Sequence, residues 1–184
     1  MTFRKPTKEE LASAYGRSIP DLIGPNLRIL FCGINPGLYS GATGLHFARP
    51  GNRFWPALHA AGFTRRVLAP WENGELLAAG YGVTNLVQRT TATAAELSDE
   101  EFRKGRAALA RKVRKYNPRW VAVLGLGAYR SGFGQPEAKV GRQIETIGPA
   151  GLWVLPNPSG LNANYQLGHL AKMFIELKAA SDGA

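Results

Sequence analysis

One cysteine in 184 residues, Cys32, leaves no partner for an internal disulfide and too few thiolates for a metal cluster. It sits inside the apolar run RILFCG, which marks it as a packing residue, and a lone thiol fits a reducing compartment. Histidine is scarce as well: His46, His59 and His169 are scattered, without the H-E-x-x-H or paired spacing of a metal site. G-x-S-x-G is absent, and with it the nucleophile elbow of a Ser/His/Asp hydrolase. Neither G-x-x-x-x-G-K-[ST] nor G-x-G-x-x-G occurs, which removes the usual nucleotide-cofactor loops. No window approaches the apolar length that crosses a bilayer, and the opening MTFRKPTKEE has no apolar signal core; a cytoplasmic protein without membrane contact is expected. Acidic side chains are outnumbered, 13 Asp and Glu against 23 Lys and Arg, for a formal charge of +10. That excess favours a polyanionic partner, nucleic acid first, although charge alone is equally compatible with a purely solubilising role.

The hydrophobic content, 45% with four Trp and eight Phe, is enough for one core, and the length fits one domain. Short apolar runs at 28–33, 82–87, 120–125 and 152–156 each stop at Gly, Pro or polar residues, which predicts four buried strands opening onto loops. Helical stretches are expected at 53–61, 70–79, 98–116, 128–133 and 165–179. The clearest begins at the capping box Ser98-Asp99-Glu100-Glu101, carries Phe102, Leu109, Val113 and Tyr116 on one face, and ends at Asn117-Pro118. Its Arg103, Lys104, Arg106, Arg111, Lys112, Arg114 and Lys115 read as a solvated face. A second capping box, Thr7 to Glu10, predicts a short helix over 8–15, so residues 1–26 form an extension and 27–180 one domain. Alternating strands and helices imply an α/β fold: a central mostly parallel four-stranded sheet with helices on both faces and ligands beyond the carboxyl ends of the strands.

Chemistry therefore belongs in the loops. After the first strand comes Gly33-Ile34-Asn35-Pro36-Gly37, then Leu38-Tyr39-Ser40-Gly41-Ala42-Thr43-Gly44, too rich in glycine to serve packing. Such a loop lets main-chain NH groups approach a phosphate or the carbonyl edge of a base; a tight turn is the plainer alternative. In His46-Phe47-Ala48-Arg49-Pro50-Gly51-Asn52-Arg53-Phe54-Trp55, aromatic and arginine residues interleave, which suits stacking and phosphate contact. Phe54 and Trp55 open a helix and point to core packing instead. The last strand runs into Pro156-Asn157-Pro158-Ser159-Gly160-Leu161-Asn162, a stiff polar loop with one apolar side chain. Leu161 either folds back on the core or wedges into DNA to fill the gap left by an extruded base.

Together, Gly33-Ile34-Asn35-Pro36-Gly37 after the first strand and Asn157-Pro158-Ser159-Gly160-Leu161 after the last resemble the mismatch-specific uracil-DNA glycosylases and their thymine-DNA glycosylase relatives. Pro50-Gly51-Asn52-Arg53-Phe54-Trp55 and Gly82-Val83-Thr84-Asn85-Leu86-Val87 extend the likeness over residues 27–178. The resemblance implies the three-layer α/β/α uracil-glycosylase fold and no cofactor or metal. It implies that Asn35 is catalytic and positions water against the sugar C1′. Phe47 would stack on a flipped base, Ile34 and Gly37 would line its pocket, Ser40 would lie near the pyrimidine C5 edge, and His46, Asn157 and Ser159 would complete the binding side. Gly160, Leu161 and Asn162 would form the DNA wedge. The implied partner is double-stranded DNA carrying G·U mismatches, with G·T cut more weakly, by a monomeric protein. The sequence mixes two branches: Leu161 matches the uracil branch, whereas His46 beside Phe47 and the stretch TNLVQRTT (84–91) look like the thymine branch. Ala163 stands where uracil-branch relatives can carry arginine.

A carboxamide can orient water but is no strong base near neutral pH, so such a reaction rests on positioning and on stabilising the leaving base. No lysine nucleophile accompanies Asn35, which predicts a monofunctional enzyme. Two other readings are a non-catalytic mismatch-sensing DNA-binding protein and a small-molecule nucleoside hydrolase.

Overall fold

Strands buried on both faces carry near-continuous apolar side chains, which alternate between two cores. In the computed structural model, which describes residues 4–183, β1 (Ile29–Gly33), β2 (Tyr81–Asn85) and β3 (Trp120–Leu124) are buried along their whole lengths. With β5 (Ala150–Leu155) they form the parallel part of the sheet, ordered β2-β1-β3-β5. Along β1, Ile29 and Phe31 face one core; Leu30 and Cys32 face the other. The first core is covered by α3 (Phe54–Ala60), α4 (Asn73–Ala78) and α7 (Leu167–Asp182) through Phe54, Trp55, Leu58, Leu76, Leu170, Phe174 and Leu177. The second is covered by α5 (Asp99–Tyr116) and α6 (Leu126–Phe133) through Leu109, Val113, Ala128 and Tyr129. This is the three-layer arrangement expected. Cys32 lies fully inside it, and burial pushes its thiol up to about 12.

The sheet has five strands rather than the four expected. The additional one, β4 (Gly141–Ile147), pairs antiparallel with β5 at the edge, with an irregular register between Arg142 and Thr146. Its sequence GRQIETI is mostly exposed, Ile144 almost completely, so it has no apolar run to announce it. A helix within the glycine-rich stretch, α2 (Leu38–Thr43), is likewise absent from the sequence reading, because LYSGAT has no apolar periodicity.

Both capping boxes form. Ser98 Oγ accepts from the Glu101 amide while Glu101 Oε2 accepts from the Ser98 amide, at 3.3 and 2.9 Å. Asn117, with φ +50°, ends α5 in the left-handed cap ahead of Pro118. Thr7 caps α1 (Lys8–Ser13), the helix of the N-terminal segment. That segment is stitched to the sheet: Leu22 bridges Val83, and the Thr90 amide donates to the Arg17 carbonyl at 2.8 Å. Deeper in, Lys112 Nζ lies 2.5 Å from Asp21 Oδ2 and donates to Thr84 Oγ1 at 2.8 Å, so α5, the N-terminal segment and β2 meet at one largely buried ion pair.

Candidate active site

The chain leaves β1 toward β2 on one side and reaches β3 on the other, so loops diverge at the carboxyl ends of β1 and β3 and leave a crevice. A cleft of about 660 Å³ opens there. Ile34, Asn35, Gly37, Ser40, His46, Phe47, Asn157, Ser159, Leu161 and Asn162, which stand far apart in the chain, all line it. Gly160 is not among the lining residues. Its Cα packs against the Gly51 carbonyl so closely that a Cβ would come within 2.5 Å of that oxygen.

Asn35 stands two residues past the end of β1. Its Nδ2 donates to Thr91 Oγ1 at 2.7 Å and is held as well by the carbonyls of Arg89 at 3.0 Å and Pro36 at 3.2 Å. Two of those three partners can only accept, so the nitrogen must be the buried end of the amide. Oδ1 has no hydrogen-bond partner among the described residues and remains available to a molecule in the cleft. Thr91 in turn donates its hydroxyl to the Thr93 carbonyl at 2.8 Å, which aims its lone pairs at Asn35. Its amide donates to the Pro36 carbonyl at 3.1 Å, tying the two loops together.

Across the cleft, His46 Nε2 lies 3.0 Å from the Pro20 carbonyl and must carry the proton there. Burial, opposed in part by that bond, pushes the ring below its ordinary pKa and keeps it neutral. Nδ1 is thus an acceptor, 3.4 Å from Asn85 Nδ2. Phe47 follows with φ +52°, a left-handed backbone that is uncommon for an aromatic residue and is concentrated at ligand-binding positions. Its ring lies on Phe54 with centroids 4.1 Å apart and passes over Gly33. Phe54 and Trp55 are core residues, as the sequence indicates. Gly33 has no room for a side chain: a Cβ would stand 2.6 Å from Asn85 Oδ1 and 3.2 Å from Phe47 Cζ.

Ser40 Oγ accepts from the Ala48 amide at 3.3 Å and is nearly buried at the cleft wall. Asn157 Oδ1 accepts from the Ser159 amide at 3.0 Å, while its Nδ2 is without a partner among the described residues. Asn162 spends its side chain on its own loop, donating to the Asn157 carbonyl at 3.0 Å and accepting from the Asn164 amide at 3.2 Å. Leu161 projects outward, 73% exposed, rather than folding back on the core.

Asn85, Thr91, Leu11 and Ile19 also line the cleft, and the sequence reading gives them no site role. Asn85 ends β2 beside Gly33, and its signal is a polar residue closing an apolar strand. Thr91 holds Asn35, whereas Leu11 and Ile19 come from the N-terminal segment, far from any motif. Arg49, exposed at the cleft, is the lining arginine; Arg53 turns inward.

The fold also occurs elsewhere. The chain is similar to the solution structure of a candidate uracil DNA glycosylase from Methanosarcina acetivorans. The TM-score is 0.59 at 22% identity, covering 89% of this chain and 98% of that one, a likeness of fold. The sequence pattern of the uracil DNA glycosylase superfamily matches residues 20–178, which takes in every loop around the cleft apart from Leu11 and Ile19. The chain belongs to the uracil DNA glycosylase superfamily, hydrolases of DNA repair that free uracil from DNA.

Proposed function

We propose that the protein is a mismatch-specific, monofunctional uracil-DNA glycosylase that hydrolyses the N-glycosidic bond of uracil opposite guanine in double-stranded DNA. Thymine and modified pyrimidines are cut more slowly. The observation that carries this reading is the Asn35 amide, its nitrogen pinned by three acceptors and its oxygen unpartnered at the cleft. An oxygen held in this way orients water without taking its proton, which suits a dissociative step in which the glycosidic bond breaks ahead of water attack. The electron pair of that bond leaves with the base as the uracil anion, water adds to the sugar C1′ and gives up a proton, the uracil anion takes up a proton, and the products are free uracil and an abasic site in an intact strand.

Base access requires extrusion from the duplex, because the glycosidic carbon is otherwise shielded. Phe47 supplies a stacking face, Asn85 and Asn157 supply amide groups for the base edge, and Leu161 fills the vacated gap. A formal charge of +10 attracts the phosphate backbone. The protein works as a cytoplasmic monomer without a cofactor.

The test is base release from duplexes carrying U, T or modified cytosines opposite each partner base, with wild type beside Asn35→Ala. U·G is expected to be cut fastest. Asn35→Ala is expected to lower the single-turnover rate by about a hundredfold or more, with duplex binding nearly unchanged. An unchanged rate in Asn35→Ala, or a preference for G·T over G·U, would refute the reading.

A further inference from the structure

An exposed leucine on a loop makes a poor wedge unless the loop is rigid, since ordering a mobile segment on DNA consumes binding free energy. Besides the turns that Asn157, Ser159 and Asn162 make within it, the loop 157–165 is gripped from outside by the side chain of Arg53. Arg53 Nη1 donates to the carbonyls of Asn162 at 2.8 Å, Tyr165 at 3.0 Å and Ser159 at 3.2 Å. Nη2 reaches the Gly160 carbonyl at 3.4 Å, and the Arg53 amide donates to the Pro158 carbonyl at 2.9 Å. No carboxylate is among these partners. A full guanidinium charge is thus spent on main-chain oxygens, a set of acceptors that only a planar fork spans.

Arg53 also caps α3, whose next two residues, Phe54 and Trp55, are buried in the first core. The side chain therefore transmits the position of the core to the loop. Leu161 lies at the outer turn of the loop, its amide donating to Ser159 Oγ at 3.3 Å, between carbonyls that Arg53 grips on both sides. Gly160, close against the Gly51 carbonyl, packs the same turn a second time.

We propose that Arg53 is a positioning residue for base extrusion: it does not bind phosphate but sets the loop that presents Leu161, so that the wedge is preformed before DNA arrives. This rests on the wedge role given to Leu161 above. The variants are Arg53→Ala, Arg53→Lys, Leu161→Ala and the double Arg53→Ala/Leu161→Ala. The substrate is a U·G duplex with 2-aminopurine next to the uracil. Its fluorescence rise reports unstacking, and single-turnover excision is followed in parallel.

Both Arg53→Ala and Leu161→Ala should lose most of the fluorescence amplitude. Both should excise about tenfold more slowly, the scale expected when hydrogen bonds from a charged group are lost. The double variant should be no worse than the poorer single one, because two residues acting through one loop are not additive. Arg53→Lys should stay impaired, since an ammonium cannot span four carbonyls. Gly160→Ala, which disturbs the loop without touching the guanidinium, should reproduce the loss and serves if Arg53→Ala fails to fold. If Leu161→Ala loses amplitude while Arg53→Ala and Gly160→Ala keep it, the positioning role falls and the wedge stands. If Leu161→Ala itself keeps it, the wedge reading falls and takes the Arg53 role with it. Additive losses in the double variant would also overturn the proposal.

Discussion

Replacing Thr91 by Val tests how the Asn35 amide is held. The two side chains have nearly the same shape, Thr91 is 1% exposed, and the change deletes only the hydroxyl that accepts from Asn35 Nδ2 at 2.7 Å. One buried hydrogen bond of this kind contributes about 1 kcal/mol net. The carbonyls of Arg89 and Pro36 still favour the nitrogen at the buried end, so the amide loosens without reversing. A loss of about 1 kcal/mol in transition-state positioning corresponds to roughly a fivefold slower chemical step. The Thr93 carbonyl also loses its donor, which adds a stability cost of about 1 kcal/mol. The assay is single-turnover excision from a U·G duplex with protein in excess, together with fluorescence anisotropy on a 2′-fluorinated, uncleavable duplex. The rate should fall about fivefold at unchanged affinity, and Thr91→Ser should restore it. A Thr91→Val rate within about twofold of wild type, or a Thr91→Ser variant as slow as Thr91→Val, would show that Asn35 is not oriented through this hydroxyl.

Gly33→Ala should lower both stability and rate, since a Cβ 2.6 Å from Asn85 Oδ1 must displace that amide or the Phe47 ring. An overpacking cost of about 1 to 3 kcal/mol would show in urea denaturation, and a rate equal to wild type would argue against Asn85 and Phe47 contacting the base. Lys112→Met strands Asp21, whose side chain is 17% exposed, and should destabilise the fold by about 3 kcal/mol; a loss below about 1 kcal/mol would show that solvent already screens the pair. Burial holds the His46 pKa below its unfolded value, near 6.5, so the unfolded chain binds the proton first as pH falls. Its contribution is complete above about pH 6.5 and is lost on acidification toward the lower folded pKa; His46→Gln should flatten the stability profile in that window, and an unchanged profile would refute the assignment.

Much of the architecture is written in the chain because buried parallel strands need unbroken apolar runs. RILFCG and WVAVLG read plainly as such strands, and the loop that ends the first carries Asn35. Edge strand β4 escapes the same logic: with one partner and an open face, Ile144 and Glu145 obey no burial pattern. Helix α2 is set by its surroundings rather than by propensity, since Gly41 packs on Thr90 with no space for a Cβ. Asn85 and Thr91 carry little mark in the sequence for another reason. Each acts through a partner distant in sequence, His46 and Asn35, and such pairings exist only once the sheet has brought the strand ends together.

Leu11 and Ile19 stand ahead of residue 20, where the superfamily pattern begins, yet both border the cleft. One flank of the cleft thus comes from outside the segment that the superfamily pattern matches. The segment 20–178 by itself would leave the cleft open on the side that Leu11 and Ile19 close. Substitutions at Leu11 and Ile19 can reshape what the cleft admits without touching the acceptors that hold Asn35.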